Sequence, residues 1–350
     1  MPSPQATGTV AVCFPRMSAL RWYRLGEGAL GVASADPALA SRFEEIYGGC
    51  AVSGPGEGPV VVCRVEPAAD GTVRASFEDP EPLDVQRFVG TLFPDRGYAP
   101  VDGSGDPNSL ASGDAKGIRL PGSDASARID GNDIVAPADA PWQPLVANLA
   151  VNRLLRLQHD VLFLHAASVG VGGKGVLACG PKRSGKTTLA LSLAARGHAL
   201  LGDELAGVHL RSRELIPIRR SVATREGPRS AEADSLLAAT SGIPERFPDG
   251  ELRHRYPAQS LSPEASATRT PLTTLLILRS MVPATRIEAA SVGPALLGML
   301  TPLAASLWDR PPALVAVRLV GLLASVRVYE VDSGPPDEVA DRIEALMEGG

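Results

Sequence analysis

The chain has 350 residues, 44% hydrophobic and 21% charged, the balance of a globular protein with a real core and room for one large domain or two. A formal charge of −5, with no basic stripe interleaved with aromatics, argues against a nucleic-acid partner. Cys13, Cys50, Cys63 and Cys179 show neither C-x-x-C nor Cys/His ligand spacing and read as small buried hydrophobes in a reducing compartment.

The opening stretch MPSPQATGTVAVCF lacks a charged region followed by a long apolar one, so no signal peptide is expected. Residues 9–13 read as a strand, and Asp36 is placed to cap a helix running through Ile46. Residues 60–65 and 73–77 flank Asp70-Gly71, a hairpin signal. Residues 82–93 look helical, and 103–141, rich in Gly, Ser, Asp and Pro, read as loop with edge strands. Together these predict an α+β unit over residues 1–140. It carries no catalytic cluster and is structural or substrate-presenting.

Leu145, Val146, Leu149, Val151, Leu154, Leu155 and Leu157 predict a helix that delivers the chain to a strand at 161–164. A second apolar run, 176–179, leads into Gly180-Pro-Lys-Arg-Ser184-Gly185-Lys186-Thr187-Thr188, a full match to G-x-x-x-x-G-K-[ST]. Leu189, Leu191, Leu193 and Ala194 then predict a buried helix. Strand, loop and helix in that order are the context the motif needs. Gly180 and Gly185 let the loop turn its N–H groups inward at the positive end of the helix, making a nest for phosphate. Lys186 is placed to reach the β- and γ-phosphates, and the Thr187 hydroxyl to ligate Mg2+. Ser184 and Thr188 complete the nucleotide-binding set. Lys182 and Arg183 read as solvated surface charge.

Gly197 ends the helix, and an apolar run from His198 finishes in Asp203 and Glu204. Strand, helix and strand predict a parallel pair, which would end the acids beside the loop. A carboxylate there can hold Mg2+ or accept a proton from an attacking hydroxyl. Neighbouring strand residues face opposite ways, and Asp203 is taken as the base, with Glu204 serving the metal. On residue chemistry alone, His165 is either a satisfied core histidine or a catalytic one.

Residues 208–210 and 215–218 predict a hairpin. The long polar region 221–270 shows no strong periodicity and is read as a mobile lid, an acceptor-binding segment or plain surface chain. Residues 271–279 and 326–331 look like later core strands. Residues 313–325 read as a buried helix, too short for a membrane span, and 335–347 as a closing amphipathic helix. A cytoplasmic protein is expected.

The stretch from Leu164-His165-Ala-Ala-Ser-Val through the loop, Arg196-Gly197-His198 and the acidic pair resembles the catalytic core of the HPr kinase/phosphorylase family. That family includes HPr-kinase-like proteins of peptide-modifying pathways such as lasso peptide biosynthesis. The resemblance implies an α/β fold, a mixed-sheet P-loop kinase core over residues 141–350 preceded by the smaller α+β domain. It matches His165 to the family's histidine before the loop and brings it forward as a catalytic candidate, and it matches Asp203 and Glu204 to the family's paired aspartates. Ile218-Arg219-Arg220 is the nearest counterpart of the family's further signature, and no role is assigned to it. Neither the phosphorylase activity nor HPr as acceptor is therefore carried over.

The leading reading is an ATP- and Mg2+-dependent kinase with Asp203, His165 and Lys186 in catalysis. The resemblance points to a serine hydroxyl of a protein or peptide as acceptor. A small-molecule hydroxyl is a variant of the same class, and a nucleotide-gated binding protein is the competitor from another. No membrane partner is expected, and oligomeric state is left open, a homo-oligomer included.

Overall fold

Alternating burial lays the first part of the chain into a sheet. The computed structural model describes residues 19–68, 70–80, 98–101, 117–246, 250–262, 268–308 and 310–349. Its first strands are β1 (Arg21–Leu25), β2 (Gly28–Ser34), β3 (Ala51–Val52), β4 (Val60–Pro67) and β5 (Thr72–Glu78). Then come β6 (Ala99–Val101), β7 (Gly117–Arg119), β8 (Ser126–Asp130) and β9 (Asp133–Pro137). Among the described residues they lie in the order β3-β1-β2-β4-β5-β9-β8-β7-β6. In β5 the two-residue period is plain, with Val73, Ala75 and Phe77 inward and Arg74 and Ser76 between them less buried.

Local chemistry sets the turns. Asp36 caps α1 (Pro37–Tyr47), its carboxylate accepting from the Leu39 N–H at 2.6 Å, with Pro37 pre-set for the first turn. The Asp70-Gly71 hairpin forms, and Asp70 accepts from the Thr72 N–H at 3.2 Å and its hydroxyl at 2.5 Å. The region read as loop-heavy contributes β7, β8 and β9. Gly131-Asn132 is a two-residue hairpin connection between Asp130 and Asp133. The strand expected at 9–13 and the helix at 82–93 lie outside the described residues, as does Cys13. Cys50, Cys63 and Cys179 are buried thiols, each pushed up to about 12 by desolvation.

Next comes α2 (Gln143–Arg156), buried on nearly all sides because it packs on β2 and β4 while its far side meets the second half of the chain. It carries Arg153, only 1% exposed, which pairs with Asp79 at 2.7 Å, donates to Asn132 Oδ1 at 2.5 Å and lies 4.3 Å over the Phe77 ring. Just past the helix, Gln158 donates to the Leu25 carbonyl at 2.9 Å and accepts from the Glu27 N–H at 2.7 Å.

The second half begins with β10 (Val161–Leu164), β11 (Ala167–Val171), β12 (Lys174–Cys179), α3 (Lys186–Ala195) and β13 (Ala199–Gly202). It continues through β14 (Ala206–His209), β15 (Glu214–Ile216), β16 (Val222–Thr224), α4 (Ala231–Ala238), β17 (Ile243–Arg246), β18 (Leu252–Tyr256) and α5 (Ala258–Leu261). It closes with β19 (Thr270–Met281), β20 (Arg286–Ala289), α6 (Pro294–Trp308), α7 (Pro312–Leu323), β21 (Arg327–Ser333) and α8 (Pro336–Glu348). The main sheet runs β10-β14-β15-β19-β12-β11-β13, with β21 parallel on β19 and β20 antiparallel on β21. The fold is thus α/β with mixed sheets. No described helix is long and apolar enough to cross a membrane.

Three expectations need correction. β12 and β13 run the same way but are not neighbours: β11 lies between them, antiparallel to both. The hairpin β11–β12 turns back before α3 crosses, so the crossover strand lands one position farther out. Second, plain surface chain is not what the described residues of 221–270 form: they make a small sheet, β16-β18-β17, with α4 and α5. Third, α7 is not buried all round. Val315, Leu319, Leu322 and Leu323 face the core, while Val317 is 69% and Val320 47% exposed.

Removing one partner of a buried ion pair strands the other charge, at a cost of about 3–5 kcal/mol. Arg153→Ala is therefore expected to lose stability in that range, measured by urea unfolding. A loss under about 1 kcal/mol would contradict the buried pairing with Asp79.

Candidate functional site

The site is built where β12 stops. Cys179 is buried, and at Gly180 a Cβ would come within 2.6 Å of Ser184 Oγ and fall on the Leu278 carbonyl. Gly185 adopts φ +94°, a left-handed conformation that glycine accepts freely, and opens α3. Lys186, buried on the first turn, donates through Nζ to the carbonyls of Gly180 at 2.9 Å and Pro181 at 2.8 Å. Burial holds its pKa below the ordinary lysine value, with the Asp203 charge opposing. Thr188 follows, half-buried.

Across the loop stand the two acids. Thr187 Oγ1 donates to Asp203 Oδ2 at 2.9 Å, and Asp203 is 2% exposed. Desolvation, then the Glu204 charge, pushes Asp203 up to about 6 against the hydrogen bond from Thr187. Although β12 and β13 are not paired, they share direction, so β13 still ends at the loop's edge of the sheet. The expected meeting of acid and loop holds by a different route.

Glu204 turns away from its neighbour. Its φ of +60° is left-handed for a residue with a Cβ, and its carboxylate pairs with Arg220 at 3.1 Å. Its carbonyl lies 3.0 Å from His165 Nδ1. A carbonyl only accepts, so Nδ1 carries the proton and Nε2 keeps its lone pair in the neutral ring. Burial lowers the His165 pKa, which favours that neutral form. Arg220 lies 5.7 Å over the ring of Tyr47.

Gly180, Ser184, Gly185, Lys186, Thr187 and Asp203 thus form one cluster, with Glu204 and His165 next to it. Two members escaped sequence reasoning. Arg220 stood in the Ile218-Arg219-Arg220 stretch, its only signal, and Tyr47 comes from the end of α1, far away in the chain. Arg183, read as solvated, adopts φ +68° and lies 3.7 Å from Glu251. Arg196 and His198 belong elsewhere: both bond to Glu344 of α8 at 2.7 Å, and they hold α3 rather than the site.

The donor set fits a phosphate-bearing nucleotide. Ser184 Oγ and Arg220 Nε are buried without a hydrogen-bond partner among the described residues. Among those residues, no three His, Cys, Asp or Glu side chains gather to cage a metal. That is compatible with Mg2+, which usually takes one or two carboxylates and leaves the rest to water and phosphate.

No family model matches the chain, and no curated protein matches it. Among solved structures it is similar to the Hpr(Ser) kinase/phosphatase from Coxiella burnetii, at 15% identity over 53% of this chain and 88% of that one, with a TM-score of 0.26. So loose a superposition carries no weight beside the local geometry.

A carboxyl whose folded pKa lies near 6, above its ordinary 3.8, stabilises the fold below pH 4 and loses that contribution as pH climbs past 6. Asp203→Asn, nearly isosteric and uncharged, is expected to be more stable than the parent at pH 8 by about 2–3 kcal/mol. The gain should shrink toward pH 4. Urea titrations at the two pH values check this, and equal stability at pH 8 would count against a buried charge.

Proposed function

We propose that this chain is a Mg2+-ATP-dependent phosphotransferase that moves the γ-phosphoryl group to a hydroxyl, with serine in a protein or peptide as the acceptor. One observation carries the reading: the 2.9 Å bond from Thr187 to Asp203, which ties the first turn after a G-x-x-x-x-G-K-[ST] loop to an acid on a separate strand. The loop N–H groups, Ser184 and Lys186 would hold the phosphates. Lys186 would exchange the Gly180 and Pro181 carbonyls for phosphate oxygens. Thr187 and Asp203 are the oxygen donors for Mg2+, which when bound neutralises charge on the transferring group.

Asp203, held above the ordinary carboxyl range by its burial, is the group placed to take a proton from a hydroxyl. In this reading Glu204 orients Arg220 instead of serving the metal. His165 holds the Glu204 backbone in its left-handed turn and keeps a neutral ring nearby.

A folded Lys186→Ala variant is expected to lose nucleotide binding, followed by titration with labelled ATP. Unchanged affinity and turnover would sink the phosphate-loop assignment. Asp203→Asn is expected to cut transfer by about 10²–10⁴-fold while Mg2+-ATP still binds, and Glu204→Gln to cost less. Phosphoryl transfer at saturating Mg2+ compares them. If added metal rescues Glu204→Gln alone, Glu204 is the metal ligand after all. If both variants keep full transfer, neither acid is the base; a parent chain that binds ATP yet transfers nothing would replace the kinase with a nucleotide-gated binding protein.

A further inference from the structure

An aromatic row runs from the first sheet to the candidate active site. Tyr23 of β1 stacks on Phe43 of α1 with ring centroids 5.8 Å apart, and Phe43 meets Tyr47 at 5.9 Å. All three are buried. Tyr47 is the last residue of α1, and the Arg220 guanidinium lies 5.7 Å over its ring. A cation and an aromatic face at that distance attract, more strongly where water is kept away. The segment behind Arg220 is seated on the same helix end. Ser221 donates to the Ile46 carbonyl through its N–H at 2.8 Å and through its hydroxyl at 3.3 Å.

Arg220 in turn belongs with the acids. Its Nη2 pairs with Glu204 at 3.1 Å, and its Nε is buried without a hydrogen-bond partner among the described residues. Its charge acts on Asp203 and on His165. A guanidinium is flat, and one ion pair alone does not fix its plane. The Tyr47 ring against one face removes that freedom. The plane matters because a fork meets phosphate oxygens well only when its edge is aligned with them.

We propose that Tyr47 is a positioning residue for phosphoryl transfer. Its ring sets the plane of the Arg220 guanidinium beside Asp203 and Glu204, so that this group stabilises charge on the transferring phosphoryl. The first unit then supplies part of the active site, beyond a structural or substrate-presenting role. The inference rests on the phosphotransferase reading and gives the other half of the chain a share in it.

The test uses the full chain with Mg2+ and two calorimetric probes. ATP reports the ground state, and ADP with aluminium fluoride mimics the phosphoryl group in flight. Tyr47→Leu is expected to weaken the second probe about tenfold and ATP by less than about threefold. Tyr47→Phe, which keeps the ring, should retain most of the affinity for both. Arg42→Gln breaks a different contact of α1, the 3.4 Å pair with Glu245, and is expected to spare both probes. In an Arg220→Gln background Tyr47→Leu should cost little more, since its effect runs through the guanidinium. Thermal melts verify folding, and Tyr47→Met gives the same comparison if the leucine variant does not fold. No loss, equal losses of both probes, or a phenylalanine variant as weak as leucine overturns the positioning role. So does a matching loss in Arg42→Gln, or an undiminished one on top of Arg220→Gln. A parent chain that binds neither probe, or binds ATP and gains nothing from aluminium fluoride, fails the phosphotransferase reading instead, and this inference with it.

Discussion

A carboxylate sealed from water must be paired, and Asp203 is paired with the hydroxyl of Thr187. This bond links the end of β13 to the first turn of α3, two elements that meet in no sheet. It can form only because α3 packs across β11 and β13 and so brings its N-terminus to the edge where both β12 and β13 end. The same bond separates two perturbed groups, with the lysine pKa lowered and the acid pKa raised by a shared dry environment. Both shifts have one cause, since burial disfavours the charged form of either group.

Around that bond the first part of the chain takes an active share. The Ser221 N–H donates to the Ile46 carbonyl at 2.8 Å, so the segment carrying Arg220 is fastened to the end of α1. Tyr47 lies under the guanidinium, and Gly49 approaches so closely that a Cβ there would fall on the Arg219 carbonyl. Arg42 of α1 reaches Glu245 of β17 at 3.4 Å. One continuous buried core runs from Tyr23 to Val328. The left-handed backbone at Glu204, which costs about 1–3 kcal/mol in isolation, is held by that surrounding structure.

Much of this was legible where a local rule had no rival. Asp36 before Pro37, Asp70-Gly71 between alternating strands, and the apolar face from Leu145 to Leu157 each led to the element they signal. Reading failed where polar side chains did the work of apolar ones. On β18, Arg253 and Arg255 point inward with the two-residue period of any strand, but their charge is satisfied by Glu251 and Glu245. Hydropathy therefore registers a polar stretch where a sheet exists. The opposite error occurred at α7, whose apolar sequence conceals an exposed side at Val317 and Val320.

The sequence by itself determined the loop: the spacing of Gly180, Gly185, Lys186 and Thr187 is a local geometry that a strand and a following helix suffice to impose. It also determined that two acids would close the next strand. Which acid meets the loop, and through what partner, was decided only by tertiary structure. A strand ending allows either side chain to face the site, and the choice fell when Glu204 took a left-handed turn toward Arg220. Arg220 and Tyr47 come from segments about 170 residues apart, and separation of that order leaves no periodic trace in a chain. Only packing brings them together.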